Sequence, residues 1–262
     1  MMAERALIFR VVLAATFGLA VATPAEAQRD RGERGRAAEP ARNVPYDGRF
    51  TFARIRYQMS LDAFGGGRFG RDEPWFHDYP RAERNFTAIL SELTTVQVQR
   101  EGSVILALDD PELFRYPVAY MAEPGFWRPN DAEVAGLRAY LLKGGFVIFD
   151  DFAGDHFLNL QAQLRRVLPE HRVVRLTAEH PIFDSFYRIP SLDYTHPYYG
   201  LVSEFWGVFE DNDPTKRLLM IINQNNDLSE YWEYSDQGMY PIDLSNEAYK
   251  LGINYIVYAL SR

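Results

Sequence analysis

Gly144-Gly145-Phe146-Val147-Ile148-Phe149-Asp150-Asp151-Phe152 decides the fold. The two glycines stop whatever helix precedes them, because glycine accepts the left-handed backbone that closes a helix C-terminus. Four apolar residues follow with no polar alternation. That is the pattern of a strand covered on both faces, as in the interior of a parallel sheet. The run then ends in two acids. Upstream, Asn130 or Asp131 can cap a helix whose Val134, Leu137, Tyr140 and Leu141 lead into Gly144. Downstream, a helix is expected from about His156 to Leu168. A buried strand between two helices is the repeating unit of an α/β sheet.

The same grammar extends in both directions. Residues 51–57 alternate like a strand, and Phe86, Ile89, Leu90 and Leu93 give 81–93 a helical stripe. Residues 104–108 read as a short apolar strand or buried turn, and 118–122, 172–176 and 218–222 as further strands. Ser245 can cap a C-terminal helix through Ala248, Leu251, Ile253, Ile256 and Leu260. The alternation predicts a three-layer α/β sandwich around a mostly parallel sheet. Residues 185–215 are aromatic and loop-rich, and are expected to form an insertion over one end of it. The glycines of Phe64-Gly65-Gly66-Gly67-Arg68-Phe69-Gly70 predict a flexible loop and lack the spacing of a phosphate-binding loop.

The N-terminus carries a different signal. Arg5 and Arg10 precede the apolar run 11–22, and Ala25-Glu26-Ala27 has the small-residue pattern of a cleavage site. The run is shorter than the roughly 20 residues that cross a bilayer. Residues 1–27 therefore read as a secretory signal peptide, 28–48 as a disordered Arg-, Pro- and Glu-containing linker, and 49–262 as a single domain. The mature protein is expected in the periplasm or outside the cell, with no stable membrane span. A net charge of -8 and a pI near 5.2 argue against nucleic acid as a partner. The chain has no cysteine, which removes disulfides, thiolate metal sites and a cysteine nucleophile. No cofactor is implied.

In open α/β sheets, ligands bind outside the carboxyl ends of the strands. Polar groups crowd the ends predicted here: Glu123; Asp150 and Asp151, with Asp155 and His156 close behind; Asn225 and Asp227; and His180 after the strand at 172–176. They form either a ligand pocket or a set of helix caps. Adjacent strand residues point to opposite faces, so one of Asp150 and Asp151 at most should face any one side. The spacing fits no metal-site template. His77 and His196 lie in aromatic runs that read as loops packed on the domain, with a lid or partner surface as the other reading. No G-x-S-x-G nucleophile elbow occurs.

Several runs, taken in order, carry a family resemblance: Asp78-Tyr79-Pro80-Arg81, Asp110-Pro111-Glu112-Leu113-Phe114, Glu123-Pro124-Gly125, Gly144-Gly145-Phe146, Asp150-Asp151-Phe152, His180-Pro181-Ile182-Phe183 and Asn225-Asn226-Asp227-Leu228. Over about residues 50–262 the chain resembles a bacterial domain family of unknown function. That family occurs as secreted proteins and at the C-terminus of membrane proteins from Bat-type aerotolerance operons. The resemblance implies a flavodoxin-like, class I glutamine amidotransferase-like fold. In amidotransferases of that fold a cysteine follows the central strand; here Asp150-Asp151 stands there. The expected function is a non-catalytic cell-envelope domain that binds another envelope protein or a saccharide. The alternative is a hydrolase pairing Asp150 or Asp151 with His156 or His180, with or without a cation. N-terminal sequencing of the exported protein should begin at Gln28; an intact Ala27–Gln28 bond in the membrane fraction would mean the leader is an anchor.

Overall fold

A computed structural model describes residues 42–59 and 73–262. These residues form strands β1 (Ala53–Arg56), β2 (Val104–Ala107), β3 (Val118–Ala122), β4 (Phe146–Phe152), β5 (Val173–Arg175), β6 (Glu204–Phe209) and β7 (Leu218–Gln224). The helices are α1 (Arg81–Leu93), α2 (Asp131–Leu142), α3 (His156–Val167), α4 (Leu228–Glu233) and α5 (Ile242–Leu260). The strands make one sheet in the order β2-β1-β3-β4-β7-β6-β5. The first five run parallel, β6 is antiparallel to β7, and β5 is antiparallel to β6. The α/β architecture and mostly parallel sheet are those the sequence predicts.

The local signals act as read. Asn130 accepts from the Glu133 amide at 2.8 Å and starts α2. Gly144 takes φ +115° just beyond the helix. Gly145 must lack a side chain, because a Cβ there would come within 2.4 Å of the Tyr140 ring. Pleating then divides β3 and β4 between two cores. Val118, Tyr120, Phe146 and Ile148 pack with α1, α4 and α5, while Ala119, Met121, Val147 and Phe149 pack with α2 and α3. The sandwich thus has helices on both faces of a sheet whose central strand, β4, is buried throughout.

One buried charge crosses this plan. Arg54, on β1, is fully buried and paired with Glu83 of α1. Its guanidinium also donates to the carbonyls of Trp75 at 3.0 Å and His77 at 2.8 Å. The aromatic turn Pro74–Phe76 is therefore fastened to the end of the sheet, with Trp75 and Phe76 buried.

Four expectations need correction. Residues 185–215 are not all loop, because β6 lies inside them and pairs with β7 from Glu204 to Phe209; its sequence, EFWGVF, has neither clean alternation nor a continuous apolar run. Ser245 does not cap the last helix. Pro241, with its fixed φ, stands at the helix start and Ser245 is buried one turn in. Chain ahead of Arg49 also packs on the domain: Asn43 exchanges two hydrogen bonds with the Ile105 backbone, at 3.0 and 2.8 Å, along the β2 edge. His180 does not approach the acidic rim. It accepts from the Ile182 amide at 3.2 Å and packs on Phe209 and Tyr258, at the end of the sheet where β7 begins. The glycine-rich loop at 64–70 falls outside the described residues.

Burial, with Arg262 nearby, pulls His180 down from 6.5 to about 4. The folded state then binds this proton less readily than the unfolded chain, so the contribution of His180 to stability is lost as pH falls from about 6.5 through 4. Because other buried groups titrate in the same range, the check is a difference: the melting temperature of the wild type relative to His180→Asn, which keeps the capping acceptor, should fall as pH drops from 7 to 4.

Candidate functional site

The site grows out of an irregularity at the end of β4. Phe149 pairs with Ile222 and Phe152 with Gln224, so β4 carries one extra residue there. Asp151, in the bulge, takes φ +60°. The bulge overrides the strand alternation that would send Asp150 and Asp151 to opposite faces. Both now turn toward the start of α4.

Asp150 is fully buried and fully bonded. It accepts from Tyr120 Oη at 2.8 Å on β3, from Asn223 Nδ2 at 2.9 Å on β7, and from the amides of Leu228 at 2.8 Å and Ser229 at 3.3 Å. Burial pushes its carboxyl up to about 7, against the donors of Asn223 and Tyr120. Asp150 ties three strands to a helix and presents no free oxygen.

Asp151 is different. Its Oδ2 meets His77 Nδ1 at 2.7 Å and its Oδ1 accepts from Tyr199 Oη at 3.0 Å. His77 reaches it because Arg54 holds the His77 carbonyl. The next residue, Asp78, has φ +62° and buries its carboxylate beside the same ring, Oδ1 lying 3.5 Å from Nδ1. Ser229 Oγ lies 2.5 Å from Asp78 Oδ2 and 3.2 Å from Asp227 Oδ1. Asp227 also caps α4 through the Glu230 amide at 2.9 Å. His77, Asp78, Asp151 and Asp227 thereby bring one donor atom each within 4.8 Å of one another. Asp78 forms a second such group with Glu230 and Glu233. Three of the first four are buried, and the His77 side chain, 42% exposed, is the face open to solvent.

The electrostatics follow from so many acids in one place. Burial alone would lower the His77 pKa, but Asp78, Asp151 and Glu123 reverse this and push it up to about 11. The His77 cation in turn holds Asp151 below its ordinary value despite burial. Burial, with Asp151, Asp78 and Asp150 around it, pushes Asp227 far up. Burial and Asp78 carry Glu233 to about 7. The cluster thus sets a His77–Asp151 ion pair beside an Asp227 carboxyl that holds its proton far more tightly than a free one.

Of the residues singled out from the sequence, Asp150, Asp151 and Asp227 converge here. Glu123 borders them, in a left-handed conformation with φ +45°, its carbonyl accepting from Tyr57 Oη at 2.7 Å. Asp155 is exposed at the start of α3 and makes no capping bond. His156 packs edge-on to Phe126 and directly under Gly125. Asn225 accepts from the Gly154 amide and donates to the Val202 carbonyl, both at 2.9 Å, joining two loops. The histidine bonded to Asp151 is His77, not His156 or His180. Sequence reasoning missed Asp78, Tyr199 and Ser229 and treated His77 as loop packing. The one signal was the His77-Asp78 pair among aromatics.

The family's sequence pattern matches residues 51–260. The chain belongs to the DUF4159 family, a domain of unknown function. No curated protein matches it. The matched span of the DUF4159 domain takes in all four residues of the His77 cluster. The parallel strands β2-β1-β3-β4-β7 reverse their winding between β1 and β3, where Tyr57 and Glu123 meet, which is the position at which such sheets bind ligands.

Asp150→Ala should destabilise the domain by about 2–5 kcal/mol, since Tyr120, Asn223 and the Leu228 amide lose their acceptor in a dry interior. Asp150→Asn keeps an oxygen toward the amides and should cost about half as much or less. Urea unfolding of the two variants measures both.

Proposed function

We propose that this protein is an exported domain of the bacterial cell envelope that binds a polar ligand at the His77 cluster and performs no covalent catalysis. The signal-like residues 1–27 support export to the periplasm. The strand order supports a flavodoxin-like, class I glutamine amidotransferase-like fold. The observation that carries the binding reading is a contrast at the end of β4. Asp150 is saturated with structural hydrogen bonds, whereas Asp151 beside it is held in a cluster open to solvent through His77.

The surroundings favour a saccharide over a protein segment. Carboxylates accept hydrogen bonds from sugar hydroxyls, and aromatic faces pack on sugar rings. Tyr199 bonds Asp151 directly, and its neighbour Tyr198 stands 71% exposed with its ring 5.5 Å from that of Tyr199. Among the described residues no helix is long and apolar enough to cross a membrane. Four residues around the cluster, Asp78, Glu123, Asp151 and Asn225, hold positive φ without being glycine. Strain of this kind gathers at functional sites.

Cell-wall glycan fragments should bind the mature protein in calorimetric titrations. Tyr198→Ala should weaken binding at least tenfold, and Leu158→Ala, exposed on α3, should leave it unchanged. Hydrolysis of such a fragment, lost in Asp151→Asn, would replace binding by catalysis; absence of any glycan binding would remove the saccharide.

A further inference from the structure

We infer that His77, Asp78, Asp151 and Asp227 form a binding site for a single first-row divalent cation such as Mn²⁺ or Zn²⁺. The inference rests on the reading of this cluster as a ligand site and names what it holds first.

Three observations carry it. The set is mixed, with one imidazole nitrogen and three carboxylates, each offering an atom within 4.8 Å of the others. Two ligands of one ion, each about 2.1 Å from it, sit roughly 3.0–3.4 Å apart in tetrahedral or octahedral geometry. The spacings of 2.7 Å for His77 Nδ1 to Asp151 Oδ2 and 3.5 Å for Nδ1 to Asp78 Oδ1 lie on either side of that range. An ion would take the place of the hydrogen between His77 and Asp151, with a shift of a few tenths of an ångström. Independently, the Asp78 side chain is 1% exposed, yet no backbone amide, hydroxyl or side-chain amide among the described residues donates to its Oδ1, whose neighbours are the His77 ring at 3.5 Å and the Glu233 carboxyl. A buried carboxylate oxygen without a well-aligned hydrogen bond is costly, and this one faces the His77 ring inside the cluster.

The surroundings suit an ion. Ser229 Oγ bridges Asp78 Oδ2 and Asp227 Oδ1, and Tyr199 holds the second oxygen of Asp151. These contacts orient three carboxylates while leaving one oxygen of each for the metal, as outer partners do in metal sites. Glu230 and Glu233 stand behind Asp78 and deepen the negative field. His77, on the exposed side, leaves room for water or a ligand group to complete the coordination. The imidazole and the small number of carboxylates favour Mn²⁺ or Zn²⁺ over Ca²⁺, which takes six to eight oxygens.

The test is equilibrium dialysis of the chelator-treated, full mature protein against Mn²⁺, Zn²⁺ and Ca²⁺ separately, followed by metal analysis and melting curves. Mn²⁺ or Zn²⁺ should bind near one per chain and raise the melting temperature. His77→Gln should weaken that binding at least tenfold while the metal-free protein keeps its wild-type circular dichroism. Asp151→Asn should abolish it. Because the buried Asp151 variant can fail to fold, the exposed His77 variant decides. Binding well below one per chain, or binding unchanged in His77→Gln, would overturn the inference. Tighter Ca²⁺ than Mn²⁺ or Zn²⁺ binding would overturn the ion class. Glycan titrations with and without chelator separate the two readings: glycan binding without metal binding sinks only the metal, and metal binding without glycan binding sinks only the saccharide.

Discussion

The carboxylate of Asp150 is the knot on which the site depends. A strand buried on both faces can end in an acid only if every lone pair is met, and Asp150 meets its donors from β3, β7 and α4 at once. That requirement fixes the level at which three neighbouring strands end. It draws the first amides of α4 onto the sheet and brings Asp227 and Ser229 with them. With Asp150 tied to these donors, the bulge sets Asp151, itself buried, against His77, whose side chain is the part of the cluster that meets solvent.

A second anchor works from the other end of the chain. Arg54 is buried by the sheet and neutralised by Glu83 through Nε, and its Nη1 holds the carbonyls of Trp75 and His77. The guanidinium suits this task because its donors lie in a rigid plane. It can satisfy a side chain and two backbone carbonyls without moving. The tyrosines around it add to the hold: the Tyr120 ring, whose hydroxyl donates to Asp150, lies 5.2 Å from the Arg54 carbon. The two buried charges are therefore linked through one aromatic side chain. Together they place residues far apart in sequence, such as Asp78 and Ser229, in hydrogen-bond contact.

Much of the fold was legible because it follows from local chemistry. Gly144 and Gly145 stop a helix wherever they occur, and Phe146 to Phe149 admit few surroundings other than a covered sheet. The strand ends were also legible, which is why Asp150, Asp151 and Asp227 could be singled out. What could not be read is long-range or depends on departures from ideal geometry. A one-residue bulge has no sequence mark here, yet it decides that Asp150 and Asp151 share a side. His77 looked like any histidine in an aromatic loop because its role comes from Arg54, 23 residues earlier. His156 and His180 looked better placed by sequence distance, but packing on Phe126 in one case and on Phe209 and Tyr258 in the other takes them elsewhere.

The contrast between Asp150 and Asp78 argues against a purely structural role for the cluster. Both carboxylates are buried. The protein surrounds Asp150 with hydrogen-bond donors, so the fold can satisfy a buried acid when the acid serves only to hold strands together. At Asp78 it supplies one hydroxyl, a histidine shared with Asp151, and further acids in Asp227, Glu230 and Glu233. Arg54, the buried cation closest to hand, is already matched by Glu83. Left alone, such a group must take up protons to relieve the repulsion, as the raised Asp227 and Glu233 indicate. A stability-driven arrangement would replace one of these acids with an amide or hydroxyl and keep the packing. Retaining all of them, against backbone strain at Asp78 and Asp151, makes physical sense where positive charge or a dense set of hydroxyl donors arrives from outside.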